Sequence, residues 1–179
     1  MLLALLVGVL TLAGSGVGMF LLANRSGPET GPGRCSSNYF GCIPTLPFES
    51  VQAVLTENGF ACNADQYGGE STSVLCELEA GYTEFRVTFD LYNDRIRSYY
   101  GYLVTQQDVP QPSESAQAFL IWLAGLPFGA DPEALRVAQD WVAGHIGEEE
   151  RAEVVIRGYS FSLEQSDVIV TLSVDGRGA

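Results

Sequence analysis

The chain has no lysine and only one histidine, His145, in 179 residues. Without lysine there is no Schiff-base chemistry, no phosphate-loop lysine and no ammonium general base. A single imidazole excludes most histidine-based metal sites. The nine arginines face 22 aspartates and glutamates, for a net charge of −13. Nucleic acid is therefore not an expected partner, because phosphate binding draws its affinity from clustered cations. None of the four cysteines falls in a Cys-x-x-Cys pair, so neither a zinc cluster nor a dithiol redox motif is expected. No Gly-x-Ser-x-Gly elbow accompanies His145, which sits two residues before Gly147 and reads as a helix-terminal cation. No cofactor or metal is implied.

Charge is also absent from a long stretch. Residues Leu2 to Ala23 carry no charged side chain, and as a helix they would span about 33 Å, the thickness of a bilayer's hydrocarbon core. We expect residues 1–23 to be a transmembrane anchor. A cleaved signal peptide with a small-residue site near Ala13-Gly14-Ser15 is the alternative. Two features favour the anchor: no positive residue precedes the run, and strong hydrophobicity resumes at Met19-Phe20-Leu21-Leu22. Gly14 and Gly18 have the spacing that lets two membrane helices approach, so a homodimer through them is an option beside ordinary glycine tolerance. Beyond the anchor, mean hydropathy (+0.12) and 17% charged residues describe a globular chain, not a multi-pass protein.

The topological signals conflict. Arg25 and Arg34 follow the span and none precedes it, which by the positive-inside rule keeps the rest of the chain in the cytoplasm. The cysteines point the other way. Tyr67-Gly68-Gly69-Glu70 is a turn signal centred between Cys62 and Cys76, and two strands folded there would bring those sulfurs opposite each other. Cys35 and Cys42 would close a small loop. We expect disulfides 35–42 and 62–76, one of three connectivities open to four cysteines. An oxidising, extracytoplasmic location follows from them.

The remaining pattern predicts an α+β fold, with helices packed on one face of antiparallel sheet in the order α-ββββ-αα-βββ. Residues 24–46, rich in Gly, Pro, Ser and Asn, read as a linker holding the Cys35–Cys42 loop. The folded domain is expected over 47–179. It starts with a helix over 47–58, with Phe48, Val51, Val54 and Leu55 on its buried stripe. Strands follow at 60–67, 71–78, 82–92 and 96–105. In 82–92, Phe85, Val87, Phe89 and Leu91 alternate with Glu84, Arg86, Thr88 and Asp90, the mark of a sheet with one wet face. Ser113 opens a second helix and Asp131-Pro132-Glu133 a third, each with an N-cap residue and an acid in the first turn. Strands at 152–157, 159–164 and 168–174 complete the chain. A helical unit followed by strands occurs twice, hinting at two halves, 47–112 and 113–179.

Few residues in this pattern suggest function. Asp90, Asn93 and Asp94 surround a hairpin turn, where such residues are favoured for backbone reasons. Trp122 and Trp141 lie on apolar helix faces. Tyr99, Tyr100 and Tyr102 share one strand, and alternation puts Tyr99 on the face opposite to Tyr100 and Tyr102. An exposed tyrosine cluster can anchor a peptide or stack on a sugar. The expected function is thus a membrane-anchored, extracytoplasmic binding module without catalysis, with a protein or peptide partner ahead of an envelope glycan. The rival readings are a secreted hydrolase that uses paired carboxylates and a structural envelope component.

Overall fold

A computed structural model describes residues 33–36, 39–43, 46–67, 71–105, 112–148 and 150–176. The expected anchor (1–23), the Gly14/Gly18 contact and the Gly68-Gly69 turn lie outside the described residues. Among those described, no helix is long and apolar enough to cross a membrane.

The fold is mixed α+β, with three α-helices and a seven-stranded antiparallel sheet. A hairpin comes first: β1 (Gly33–Ser36) and β2 (Tyr39–Cys42) pair with each other, within the stretch expected to be a linker. Helix α1 (Phe48–Glu57) leads into the meander of β3 (Ala61–Tyr67), β4 (Ser71–Ala80), β5 (Thr83–Tyr92) and β6 (Arg95–Thr105). Helix α2 (Glu114–Gly125) runs through a 3-10 turn (Leu126–Phe128) to α3 (Pro132–His145). Strands β7 (Ala152–Ile156), β8 (Tyr159–Gln165) and β9 (Ile169–Asp175) follow.

The strand order is β3-β4-β5-β6-β9-β8-β7. Residues 47–112 and 113–179 therefore do not build separate sheets: β6 of the first pairs with β9 of the second over Ser98↔Asp175 to Val104↔Ile169. Side chains directly across adjacent strands form continuous rows. One row on the inner face runs Val74, Phe89, Tyr99, Val174, Phe161; the next runs Cys76, Val87, Gly101, Leu172, Leu163. Most of these residues are fully buried.

All three helices cover this inner face. Phe48 of α1 meets Phe89 edge-on at 5.4 Å; Phe119 of α2 meets Phe85 and stacks on Phe60, each at 5.5 Å; Trp141 of α3 meets Phe161 at 6.2 Å. The caps form where the sequence placed them. Ser113 Oγ accepts from the Ala116 N–H and Asp131 Oδ1 from the Ala134 N–H. Helix α2 is buried more fully than one stripe would allow: Trp122, Ala124 and Gly125 are covered along with Ala116, Phe119, Leu120 and Leu123. The cause is α3, which packs on the side of α2 away from the sheet. A helix between two layers is apolar nearly all round.

Gly101, at the centre of β6, admits α2 at close range. A Cβ there would come within 2.4 Å of Leu123 Cδ1. At the end of the sheet the N-terminal hairpin docks beside β6, with the Ile43 N–H donating to the Ile96 carbonyl at 2.9 Å.

Candidate functional site

With the helices on one side, the other side of the sheet is uncovered among the described residues, and its composition is that of the polar half of each alternating strand. Its central rung runs Thr88, Tyr100, Ser173, Ser162, Glu153 across five strands. The next rung runs Glu77, Arg86, Tyr102, Thr171, Glu164. Tyr100 and Tyr102 are thus neighbours on one face of β6, each flanked by small hydroxyl side chains on β9, and each is partly exposed. Burial pushes the Tyr102 phenol above the ordinary tyrosine value, and the nearby Tyr100 and Asp90 add to the shift. Tyr102 therefore stays a neutral hydroxyl, both donor and acceptor, across the physiological range.

Tyr99 is withdrawn from the expected binding surface. It is fully buried on the helix side, where its hydroxyl donates to the Leu123 carbonyl. Its inclusion followed from proximity in sequence; the period of two in a strand separates it from its neighbours. Trp122 is core, and Trp141 is partly buried against it.

The charged groups on the uncovered face are paired within the protein. Arg86 Nε lies 3.1 Å from Glu77 Oε1 and its Nη2 contacts Glu84. Asp90 accepts from the buried Ser98 hydroxyl at 3.0 Å and lies 3.9 Å from Arg97. Arg151 bridges Glu153 at 2.6 Å. Carboxylates engaged in this way are held ionised by cations beside them, and they offer no acid and base facing one substrate bond. Among the described residues no three His, Cys, Asp or Glu side chains converge as a metal ion would need. Asn93 and Asp94 both sit at positive φ, 48° and 60°, as a tight two-residue hairpin requires. His145 stacks on Trp141 with ring centres 5.0 Å apart, and its Nδ1 lies 2.7 Å from the Trp141 carbonyl.

The cysteines lie away from this face. Cys62 and Cys76 are directly paired across β3 and β4, disulfide-bonded, with Cα atoms 4.0 Å apart. Cys76 is fully buried on the helix side. Cys42 is also buried and disulfide-bonded; the side chain of Cys35 lies outside the described residues.

One feature of the uncovered face escaped the sequence. A trough of about 520 Å³ lies over β7, β8 and β9. Its floor is Ser160, Ser162 and Ser173, with Val155, Glu153 and Asp175 around it. The alternating serines of Tyr-Ser-Phe-Ser-Leu were the available signal, but small residues make a trough only when the neighbouring strand is small at the same rung. That neighbour is β9, whose register is set by the three-dimensional pairing Ser162↔Ser173. No family model, curated protein or solved structure matches this chain.

Proposed function

We propose that the protein is a membrane-anchored, extracytoplasmic binding module that takes a protein or peptide partner on the uncovered face of its sheet, without catalysis. The observation that carries this reading is the placement of Tyr100 and Tyr102 side by side, partly exposed, in the middle of the face that no helix covers. Tyrosine supplies a large amphipathic contact at low entropic cost, which is why it recurs at the centres of interfaces. The Cys62–Cys76 disulfide supports an oxidising location, and the charge-free run over 1–23 supports the anchor. The internally paired carboxylates favour binding over hydrolysis.

The test uses the full-length protein in detergent as bait for a solubilised envelope fraction. The double variant Tyr100→Ser/Tyr102→Ser should lose the partners that the wild type retains. Tyr82→Ser, which alters a tyrosine 71% exposed at the β4–β5 turn, should keep them. Retention of every partner by the double variant would remove this face as the binding surface.

A further inference from the structure

We infer that the segment docked on this face is cationic: an extended stretch of a partner protein, bearing Arg or Lys, that lies in the serine-floored trough beside Tyr100. The inference rests on the reading of the uncovered face as the docking surface and adds the chemistry of what docks.

Three observations lead to it. The trough is continuous with the tyrosine pair, because Ser173 of its floor is the direct cross-strand neighbour of Tyr100. The second concerns charge. Glu77, Glu79, Glu84, Asp90, Glu153, Glu164 and Asp175 alternate onto this face, whereas its arginines are Arg86, Arg97 and Arg151. Each of these arginines has a carboxylate of this chain within 4.0 Å. The face is left with an excess of negative charge, and the chain has no lysine anywhere to offset it. Third, the floor is polar and shallow. Its hydroxyls can each donate and accept, which suits the amides of an extended main chain.

A positive side chain leaving such a main chain meets Glu153 at the β7 rim or Glu164 one rung further along. A guanidinium or ammonium group pointing toward β6 meets the ring faces of Tyr100 and Tyr102, where a cation is attracted by the ring quadrupole. Val155, 52% exposed at the rim, gives an apolar contact for the stem of the same side chain. A neutral glycan could use the tyrosine rings but would leave the excess carboxylates without a counter-charge. An acidic segment would be repelled.

The experiment is fluorescence anisotropy on the full-length protein in neutral detergent, with a labelled heptapeptide alternating Lys and Ser and a second alternating Glu and Ser. The Lys peptide should bind and weaken as salt rises, and the Glu peptide should not bind. Ser162→Trp fills the trough without changing charge and should weaken binding about tenfold. Glu153→Gln/Glu164→Gln should weaken it comparably, while Glu49→Gln/Glu57→Gln, an equal charge change on exposed residues of α1, should leave it within about twofold. A retained melting temperature establishes that each variant is folded; if Ser162→Trp is not, the two charge pairs decide alone. Equal weakening by the α1 pair would mean that net charge alone attracts the peptide, and would overturn the inference. Undiminished binding to folded Ser162→Trp would overturn it too. The Lys peptide should also displace whatever partner depends on Tyr100 and Tyr102. A partner that depends on the tyrosines but is indifferent to the peptide and to salt, or is released by a neutral oligosaccharide, leaves the docking face standing and refutes the cationic segment.

Discussion

The Tyr99 hydroxyl donates to the Leu123 carbonyl across 2.6 Å, and the same carbonyl accepts the main-chain N–H of Leu126 at the end of α2. The middle strand of the sheet is thereby tied to the point where α2 turns toward α3. Burial, with a smaller contribution from Tyr159, holds the Tyr99 phenol well above the ordinary value of 10.0. A raised pKa means that the folded state keeps a proton the unfolded chain would release. Stability from this group is therefore complete below pH 10 and falls as pH rises toward the folded-state value. Tyr99→Phe should cost about 1 kcal/mol near neutral pH, because the Leu123 carbonyl keeps its bond from Leu126. It should also flatten the loss of stability above pH 10, which urea unfolding at stepped alkaline pH would measure.

The approach of α2 to the sheet makes a second prediction sharper. Gly101→Ala puts a methyl where Leu123 Cδ1 already stands, so the helix must shift or the leucine must leave its rotamer. Such overpacking costs about 1–3 kcal/mol. The paired change Gly101→Ala/Leu123→Ala should recover less than the whole loss, since it trades a clash for a cavity, and a double-mutant cycle by thermal unfolding would show the coupling.

Which parts of this arrangement could be read without coordinates follows from the range of the interactions. The strand at Thr83–Tyr92 declares itself because alternation is a property of neighbours in sequence, and the caps at Ser113 and Asp131 because a cap acts over three residues. The split of Tyr99 from Tyr100 and Tyr102 follows from the same alternation, but which side the helices cover does not. That is decided by Phe48, Phe119 and Trp141 meeting rings from distant strands. The joining of β6 to β9 depends on pairing residues some seventy positions apart, for which no local pattern codes. The trough inherits that limit, because its floor needs Ser162 and Ser173 side by side. The turn at Arg157-Gly158 also lacked a strong signal: arginine is an unusual residue at φ 51°, and its partners, Asp131 and Glu133, lie on another element.

Those partners give a pH prediction. The Asp131 carboxylate is lowered from its ordinary value of 3.8, chiefly by the hydrogen bond from the Ala134 N–H and further by Arg157. A depressed pKa contributes stability that is present above 3.8 and disappears as pH falls through the folded-state value. Asp131→Asn keeps an N-cap acceptor but loses the charge that Arg157 and the helix N-terminus favour. Its melting temperature should be below that of the wild type at pH 6 and converge with it in acid. Parallel acid slopes for the two proteins would show that Asp131 takes no part in acid unfolding.

The disulfide joins the stability of the sheet to the location of the domain. Cys62 lies on the terminal strand β3, where Ala61, Asn63 and Ala64 are exposed and bury little. The covalent link to Cys76 therefore supplies much of what holds that strand, by restricting the unfolded chain over a separation of 14 residues. Cys62→Ser/Cys76→Ser should destabilise the domain by about 3 kcal/mol, read as an earlier midpoint in urea. Amide exchange should rise first in β3 and in the half of β4 facing it, because local opening follows the weakest attachments. In intact cells, a membrane-impermeant maleimide should label these cysteines only after an impermeant reductant has been added outside. Labelling that needs cell breakage but no reductant would place reduced thiols in the cytoplasm, and would refute the extracytoplasmic location together with the binding role proposed for it.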